Sequence, residues 1–219
     1  MSATSEFVYR PPDLPLEILH LDHELLLVEK PAGLLSVPGR GEHLNDCLIT
    51  RVQRVYPEAL LVHRLDMDTS GVMVFAMTAH AQRHLGLQFE KRQVHKTYLA
   101  RVWGRLAEDT GEVDLPIGVD WPNRPRQMID PENGRPAQTS WHVKRRDEET
   151  TRLHLFPKTG RSHQLRVHML ALGHPILGDP LYADGPAREF PRLMLHSERL
   201  KLRHPDGGKH LAFRSKPPF

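Results

Sequence analysis

Residues 63–71 read HRLDMDTSG, a polar stretch that stands between two short apolar runs at residues 60–62 and 72–76. Runs of that length and composition are typical of buried strands, and the polar residues between them form a loop held at both ends. The loop carries the carboxylates Asp66 and Asp68, with Arg64 two residues before the first. The sequence therefore predicts a positioned acidic loop between two strands.

The chain before this loop reads as a tail, a hairpin and a helix. Residues 1–15 hold Pro11, Pro12 and Pro15, which favour an extended tail outside the core. Two Leu/Ile/Val-rich runs, residues 17–22 and 25–30, flank a charged tripeptide and predict a hairpin. Residues 44–56 predict an amphipathic helix, because apolar side chains recur every fourth position and Pro57 follows.

The chain after the loop is richer in strand patterns than in helix patterns. Thr78 can cap a helix that runs to residue 92, and residues 95–103 alternate as a strand with Lys96 and Tyr98 on one face. A second helix is predicted to begin at Ser162 and to end before Gly173. The remaining predicted strands are residues 113–117, within a long loop from 104 to 134, an antiparallel pair at 138–144 and 151–156, and two strands at 193–202 and 210–213.

These elements lack a regular βαβ rhythm, which favours an α+β fold with a mixed, largely antiparallel central sheet and flanking helices. A chain of 219 residues fits one domain, here residues 16–219 after the tail. With no apolar run near membrane-spanning length and no hydrophobic leader pattern, we expect a soluble, cytoplasmic protein. The single cysteine, Cys47, cannot form an internal disulfide and is predicted to be buried.

Charge is distributed unevenly along the chain. Residues 1–110 hold 12 Lys and Arg against 14 Asp and Glu, whereas residues 111–219 hold 18 against 13. The net charge thus changes from −2 to +5, as expected of a protein whose second half faces a polyanion. A chance imbalance on a solvated surface is the alternative.

Several kinds of chemistry lack their usual motifs. His80 and His84 share a helix face at metal-ligand spacing, but Ala81 stands where a zinc protease has its glutamate, so we expect no metal. The sequence has no glycine-rich phosphate loop and no serine nucleophile motif, and we therefore expect no cofactor. Asp66 remains as a candidate reactive group, with a turn-forming aspartate as the alternative.

Four motifs in order resemble those of the RluA family of RNA pseudouridine synthases. They are LVEKPAGL at residues 27–34, the HRLD loop with TSG after it, KTY at 96–98, and GRSHQLR at 160–166 followed by GHPILGD at 173–179. The resemblance covers residues 16–214 and, with WPNRP at 121–125, is greatest to the short, dual-specificity members that lack an S4-type RNA-binding module. It implies a pseudouridine synthase fold with a central basic cleft.

The family resemblance also implies a reaction and its substrates. Pseudouridine synthases break the bond between C1′ and N1 of a uridine, turn the uracil and join its C5 to C1′, an isomerisation without metal or cofactor. For the dual-specificity members the implied targets are U746 of 23S ribosomal RNA and U32 of the tRNA anticodon stem-loop. RNA is therefore the expected partner, and neither a membrane nor an obligate protein partner is implied.

The same resemblance assigns roles to individual residues. Asp66 is the expected catalytic carboxylate, acting on the sugar, on the base or on a sugar proton. Arg166 is its expected ionic partner, and Tyr98 is expected to stack on the flipped uracil and to assist proton removal. Arg64 is expected to fill the gap that the base leaves. The other expected RNA contacts are His63, Lys30, Lys96, Arg161, His163 and Arg124.

Two other functions compete with this prediction. An RNA-binding protein could keep the same scaffold without catalysis. A nucleosidase or glycosidase would use Asp66 with a second acid, for which Asp68 is the candidate.

Overall fold

The computed structural model describes residues 8–219, and within them a curved sheet carries helices on its faces. In chain order the strands are β1 Glu17–Leu21, β2 Leu25–Lys30, β3 Leu60–Leu61, β4 Ser70–Ala76, β5 His95–Trp103, β6 Thr110–Asp114, β7 Ile117–Val119, β8 Gln127–Ile129, β9 Gln138–Arg146, β10 Thr150–Pro157, β11 Leu195–Arg203 and β12 His210–Arg214. The α-helices are α1 Leu48–Val55, α2 Ala79–Glu90 and α3 Gln164–Ala171. Short 3₁₀ turns lie at Glu42–Leu44, Trp121–Asn123 and Gly185–Ala187.

The main sheet has the strand order β1-β2-β4-β11-β5-β10-β9-β6, with β12 beside β11 and β3 beside β4. Strands β7 and β8 form a separate hairpin. In the described part of the chain, every neighbouring pair is antiparallel except β4 and β11. The predicted α+β class with a mixed, largely antiparallel sheet is confirmed.

The parallel contact between β4 and β11 lies at the end of the 63–71 loop. There Ser70 and Gly71 are in register with His196 and Ser197. Gly71 has φ of 116°, and a Cβ at this position would lie 2.3 Å from the carbonyl oxygen of Ser197. Only glycine fits this close approach of two backbones, so the loop joins the sheet at a fixed position.

Several predicted elements differ from the structure at their ends. The helix predicted over 44–56 is a 3₁₀ turn at Glu42–Leu44 and then α1, because Cys47 is extended and caps the helix. The helix predicted from Ser162 begins at Gln164, since His163 has a left-handed backbone with φ of 54°. The long loop over 104–134 contains β6, β7 and β8 rather than one strand.

The predicted tail lies partly outside the described residues, which begin at residue 8. Residues 8–15 have no regular secondary structure. The hydroxyl of Tyr9 donates to Asp46 O at 2.8 Å, and the carbonyl of Pro12 accepts from Arg51 Nη1 at 2.8 Å. These contacts hold the segment against α1. No helix in the described residues is long and apolar enough to cross a membrane.

Candidate active site

A cleft of about 570 Å³ lies where the 63–71 loop faces β5 and the segment before α3. Its walls carry many cations and few carboxylates. Its charged side chains are Arg64, Asp66, Glu90, Arg92, Lys96, Arg135, Lys158, Arg161 and Arg166. Seven cations against two carboxylates make this concave surface attractive to a polyanion.

The loop that carries Asp66 is clamped on both sides of that residue. The Ser36 hydroxyl donates to Leu65 O at 2.6 Å and accepts from Leu65 N at 3.1 Å. After Asp66, the carbonyl of Met67 accepts from Lys30 Nζ at 2.7 Å and from Gly33 N at 2.9 Å. The backbone around Asp66 is therefore fixed while its side chain remains free to face the cleft.

Arg166 is the central cation of the site and is almost fully buried. Its Nε and Nη2 each donate at 2.7 Å to Asp179, and its Nη1 lies 3.6 Å from Asp66 Oδ2. Asp179 is fully buried, whereas the Asp66 side chain is 26% exposed. Burial opposes the charge of Arg166, but the hydrogen bonds and charge of Asp179 outweigh it and raise the pKa of Arg166. The guanidinium therefore stays charged beside Asp66.

Tyr98 and Lys96 reach the cleft from one face of β5, as the alternation predicted. Burial and the nearby charge of Asp66 raise the pKa of Tyr98 above its usual value. The phenol therefore stays protonated near neutral pH and is a poor proton acceptor. Burial lowers the pKa of Lys96 to about 8, and its Nζ donates to Thr159 O at 2.9 Å.

His63 and His163, the two histidines that were predicted to contact RNA, are both neutral and lie in different places. His63 lines the cleft, stacks on Phe89 at 4.8 Å and accepts the N–H of Val74 at 3.1 Å. Burial lowers the pKa of His63 to about 3. His163 lies outside the cleft lining, with Nδ1 2.7 Å from the Tyr182 hydroxyl, and burial lowers its pKa as well. Neither ring supplies a positive charge near neutral pH.

Two other predicted RNA contacts lie outside the cleft. Lys30 is fully buried, and its Nζ donates to the carbonyls of Pro31, Met67 and Thr69. These three carbonyls enclose the amino group, which supports the loop, and an RNA contact by Lys30 stays a prediction. Arg124 is exposed after the Trp121–Asn123 turn of the β7–β8 hairpin, and its guanidinium lies 4.9 Å from the centre of the Trp121 ring. Arg64 and Arg161 line the cleft as expected.

Sequence reasoning missed several residues of this site. Asp179 holds Arg166, and Ser36 holds the backbone of Leu65 beside Asp66. No local sequence pattern assigns these roles, although Asp179 is the last residue of the GHPILGD motif. Arg92, at the end of a predicted helix, adds charge to the cleft, as do Arg135 and Lys158, which lie outside every predicted element. Asp68, the second acid that a glycosidase would use, does not line the cleft, although it is close enough to interact with the charge of Arg166.

Comparison with known proteins agrees with this geometry. The profile of the RNA pseudouridylate synthase family matches residues 24–171. The chain belongs to this family. It is 53% identical over 214 residues to the dual-specificity RNA pseudouridine synthase RluA of Escherichia coli K12, covering 96% of this chain and 98% of that protein. RluA of Yersinia pestis is 52% identical over 204 residues, which cover 92% of this chain and 99% of that protein.

Solved structures of the family share the fold. Human RNA pseudouridylate synthase domain containing 4 has a TM-score of 0.78 and 28% identity, covering 92% of this chain and 88% of that one. Human RNA pseudouridylate synthase domain containing 1 also has a TM-score of 0.78 and 28% identity, covering 94% of this chain and 84% of that one. The chain is thus an RNA pseudouridine synthase, an isomerase that acts on RNA, with the predicted pseudouridine synthase fold.

Proposed function

We propose that this synthase isomerises uridines in structured RNA stem-loops, with U746 of 23S ribosomal RNA and U32 of the tRNA anticodon stem-loop as targets. The proposal rests on the similarity, over nearly the whole of both chains, to RluA, which is a dual-specificity RNA pseudouridine synthase. Such substrates place the enzyme in the cytoplasm. Residues 16–219 act as one catalytic domain in this proposal.

Asp66 is the proposed nucleophile at C1′ of the target uridine. The observation that carries this assignment is the position of its carboxylate, in a cationic cleft and 3.6 Å from a buried, charged arginine. The guanidinium of Arg166 favours the ionised carboxylate that a nucleophile requires, in a site where water is partly excluded. Asp179 accepts hydrogen bonds from Nε and Nη2 of Arg166, so only Nη1 of this guanidinium faces Asp66.

The uridine must leave its stack before this carboxylate can reach C1′. Extrusion costs a few kcal/mol, which contacts in the cleft and in the vacated stack must offset. Tyr98 lines the cleft and remains a neutral phenol, which supports stacking on the flipped uracil rather than proton removal. Arg64 is exposed at the cleft and is proposed to occupy the gap in the RNA.

RNA phosphates are proposed to contact the cations at the mouth of the cleft. Arg161 and Lys96, predicted from the sequence, lie there together with Arg92, Arg135 and Lys158. His63 and His163 are proposed to shape the site as neutral side chains. Arg124 and the exposed Trp121 form a stacked pair that offers a platform for RNA outside the cleft.

The central test is Asp66→Asn, which keeps the shape of the side chain and removes its charge. We expect pseudouridine formation in a tRNA anticodon stem-loop to fall at least about a thousandfold, because the nucleophile is lost. RNA affinity should stay within about tenfold, since the cations of the cleft are unchanged. Carbodiimide mapping of pseudouridine and a binding titration on the same RNA measure the two quantities.

Other outcomes identify the competing functions. Full activity in Asp66→Asn would remove this carboxylate from the reaction. Wild-type enzyme that binds the RNA and leaves every uridine unchanged would point to a binding protein on this scaffold. Release of free uracil would indicate a hydrolase.

A further inference from the structure

A second basic surface lies on β5, β11 and β12, on the other face of β5 from Tyr98 and Lys96. We call it the basic sheet face and define it by Arg199, Lys201 and Arg203 of β11, His210 of β12 and His95 of β5. These side chains line a hollow of about 620 Å³. No carboxylate lines this hollow in the described part of the chain.

Strand periodicity places these cations together. In β11 the intervening residues Leu200 and Leu202 are buried against α2, so Arg199, Lys201 and Arg203 alternate outward. Residues directly opposite on neighbouring strands share a face, and Lys201 is opposite His95 while Arg203 is opposite His210. The sheet therefore presents Arg199, Lys201 and Arg203 as a row of positive side chains, with His95 and His210 beside them.

The arrangement is unfavourable for the protein alone. Arg199 is directly opposite Arg214 across β11 and β12, and like charges in this position repel. In the described residues, none of Arg199, Lys201, Arg203 or Arg214 lies in an ion pair. Arg199 Nε is also buried without a hydrogen-bond partner. An anionic partner outside the protein would offset the repulsion between these like charges.

The basic sheet face is held rigidly and is continuous with the cleft. The side-chain amide of buried Gln88 donates to Arg203 O at 2.7 Å and accepts from Arg203 N at 2.8 Å, which fixes the end of β11. Arg92, in the turn between α2 and β5, lines both the cleft and the hollow. Its φ of 58° is a strained conformation for a residue other than glycine.

We propose that the basic sheet face binds the phosphate backbone of the substrate RNA beyond the modified stem-loop, with Arg92 at the passage from the cleft. Side chains two residues apart on a strand are separated by about 6.7 Å, close to the spacing of successive phosphates along RNA. The occupant is RNA rather than an acidic protein, because the face continues from a cleft that belongs to an RNA-modifying enzyme. The inference rests on the proposed function for its choice of tRNA.

The test compares wild-type enzyme with a Lys201→Ala/Arg203→Ala double variant on two RNAs, a full-length tRNA transcript and its isolated anticodon stem-loop. For the full-length tRNA we expect Kd to rise at least about tenfold, and the log–log salt slope to lose roughly 1.4–1.8 for two lost phosphate contacts. The single-turnover rate at saturating RNA should be unchanged. For the isolated stem-loop, the two enzymes should bind equally.

Arg54→Ala/Arg105→Ala is the matched control, because it removes two exposed arginines that line neither cavity. It should leave Kd for both RNAs unchanged. An unchanged Kd for tRNA in Lys201→Ala/Arg203→Ala overturns the proposal and leaves an acidic protein as the alternative occupant. An equal loss on the isolated stem-loop also overturns it. If wild-type enzyme forms no pseudouridine in tRNA, the proposed substrate fails, while the binding comparison still decides the role of the basic sheet face.

Discussion

The 63–71 loop, which carries the proposed nucleophile, and the α3 segment, residues 160–179, face each other across the cleft but are held by different kinds of contact. The loop is held through its backbone, by the Ser36 hydroxyl, the buried Lys30 ammonium and the close packing of Gly71. The α3 segment is held through its side chains. Buried Gln164 alone bonds to Thr159 Oγ1, Arg161 N, Gln138 O and Thr139 Oγ1.

The difference follows from what each segment presents. A reactive carboxylate needs an unoccupied side chain on a fixed backbone, and clamps on Leu65 and Met67 provide that for Asp66. A supporting cation needs a fixed side chain, and Asp179 provides that for Arg166 with two 2.7 Å bonds. Damage to the α3 segment should therefore affect folding and activity together, whereas damage to the loop clamps should affect activity more.

The largest loss of stability is expected from Asp179→Asn, which breaks the side-chain support of the α3 segment. It leaves Arg166 buried without its main counter-charge, and removing one partner of a buried pair costs about 3–5 kcal/mol. Pseudouridine formation should fall at least about a hundredfold, because the arginine no longer keeps its position beside Asp66. Urea unfolding and single-turnover assays measure the two effects.

Asp66→Asn serves as the matched control for this change, because it removes the other carboxylate that faces the same guanidinium. Its unfolding free energy should stay within about 1 kcal/mol of wild type, since the Asp66 side chain is partly exposed and its Oδ2 lies 3.6 Å from Arg166 Nη1. Equal stability losses in the two variants would remove the distinction between a supporting and a reactive carboxylate.

A smaller loss of stability is expected from Ser36→Ala, which breaks a backbone clamp of the loop. The N–H and the carbonyl of Leu65 lose their partner, at a cost of about 1–3 kcal/mol. The single-turnover rate should fall roughly tenfold to a hundredfold, because the backbone beside Asp66 is no longer fixed.

Thr151→Val is the control for Ser36→Ala, since the Thr151 hydroxyl also bridges a backbone pair, Leu106 N and Gly104 O, away from the cleft. It should lose similar stability and keep the wild-type rate. A rate unchanged in Ser36→Ala would show that the clamp does not serve catalysis.

At neutral pH, the smallest effect is expected from His63→Gln, at the start of the loop. Burial holds the pKa of His63 at about 3 in the folded protein against 6.5 in the unfolded chain. The unfolded state therefore binds the proton first, and the stability that this histidine contributes is present above pH 6.5 and is lost as pH falls towards 3.

A glutamine can accept the same N–H of Val74 without titrating. Between pH 6.5 and 4, the unfolding free energy of His63→Gln should decrease less steeply than that of wild type, by up to about 1.4 kcal/mol per pH unit. Urea unfolding across this pH range gives both slopes. If the unfolding free energy of His63→Gln differs from that of wild type by a constant amount at every pH, the burial of a neutral His63 ring is contradicted.

Much of the fold could be predicted from local patterns. The hairpin of β1 and β2, the pairing of β9 and β10, the Thr78 cap of α2 and the alternation of β5 are all present. Each depends on residues within a turn or within one strand, where periodicity and capping act directly. The ends of α1 and α3 were wrong because Cys47 and His163 adopt backbone conformations that no local pattern indicates.

The sequence by itself determined most of the strands and helices, though not all of their ends, and it carried the motifs that identify the family, with Asp66 and Arg166 among them. Only the tertiary structure decided that Lys30 supports the loop from beneath, that Asp179 holds Arg166, and that cations of β11 form a second surface. The physical reason is distance along the chain. Contacts such as that of Ser70 with His196 join segments 126 residues apart, and they depend on the order of strands in the sheet rather than on any local preference.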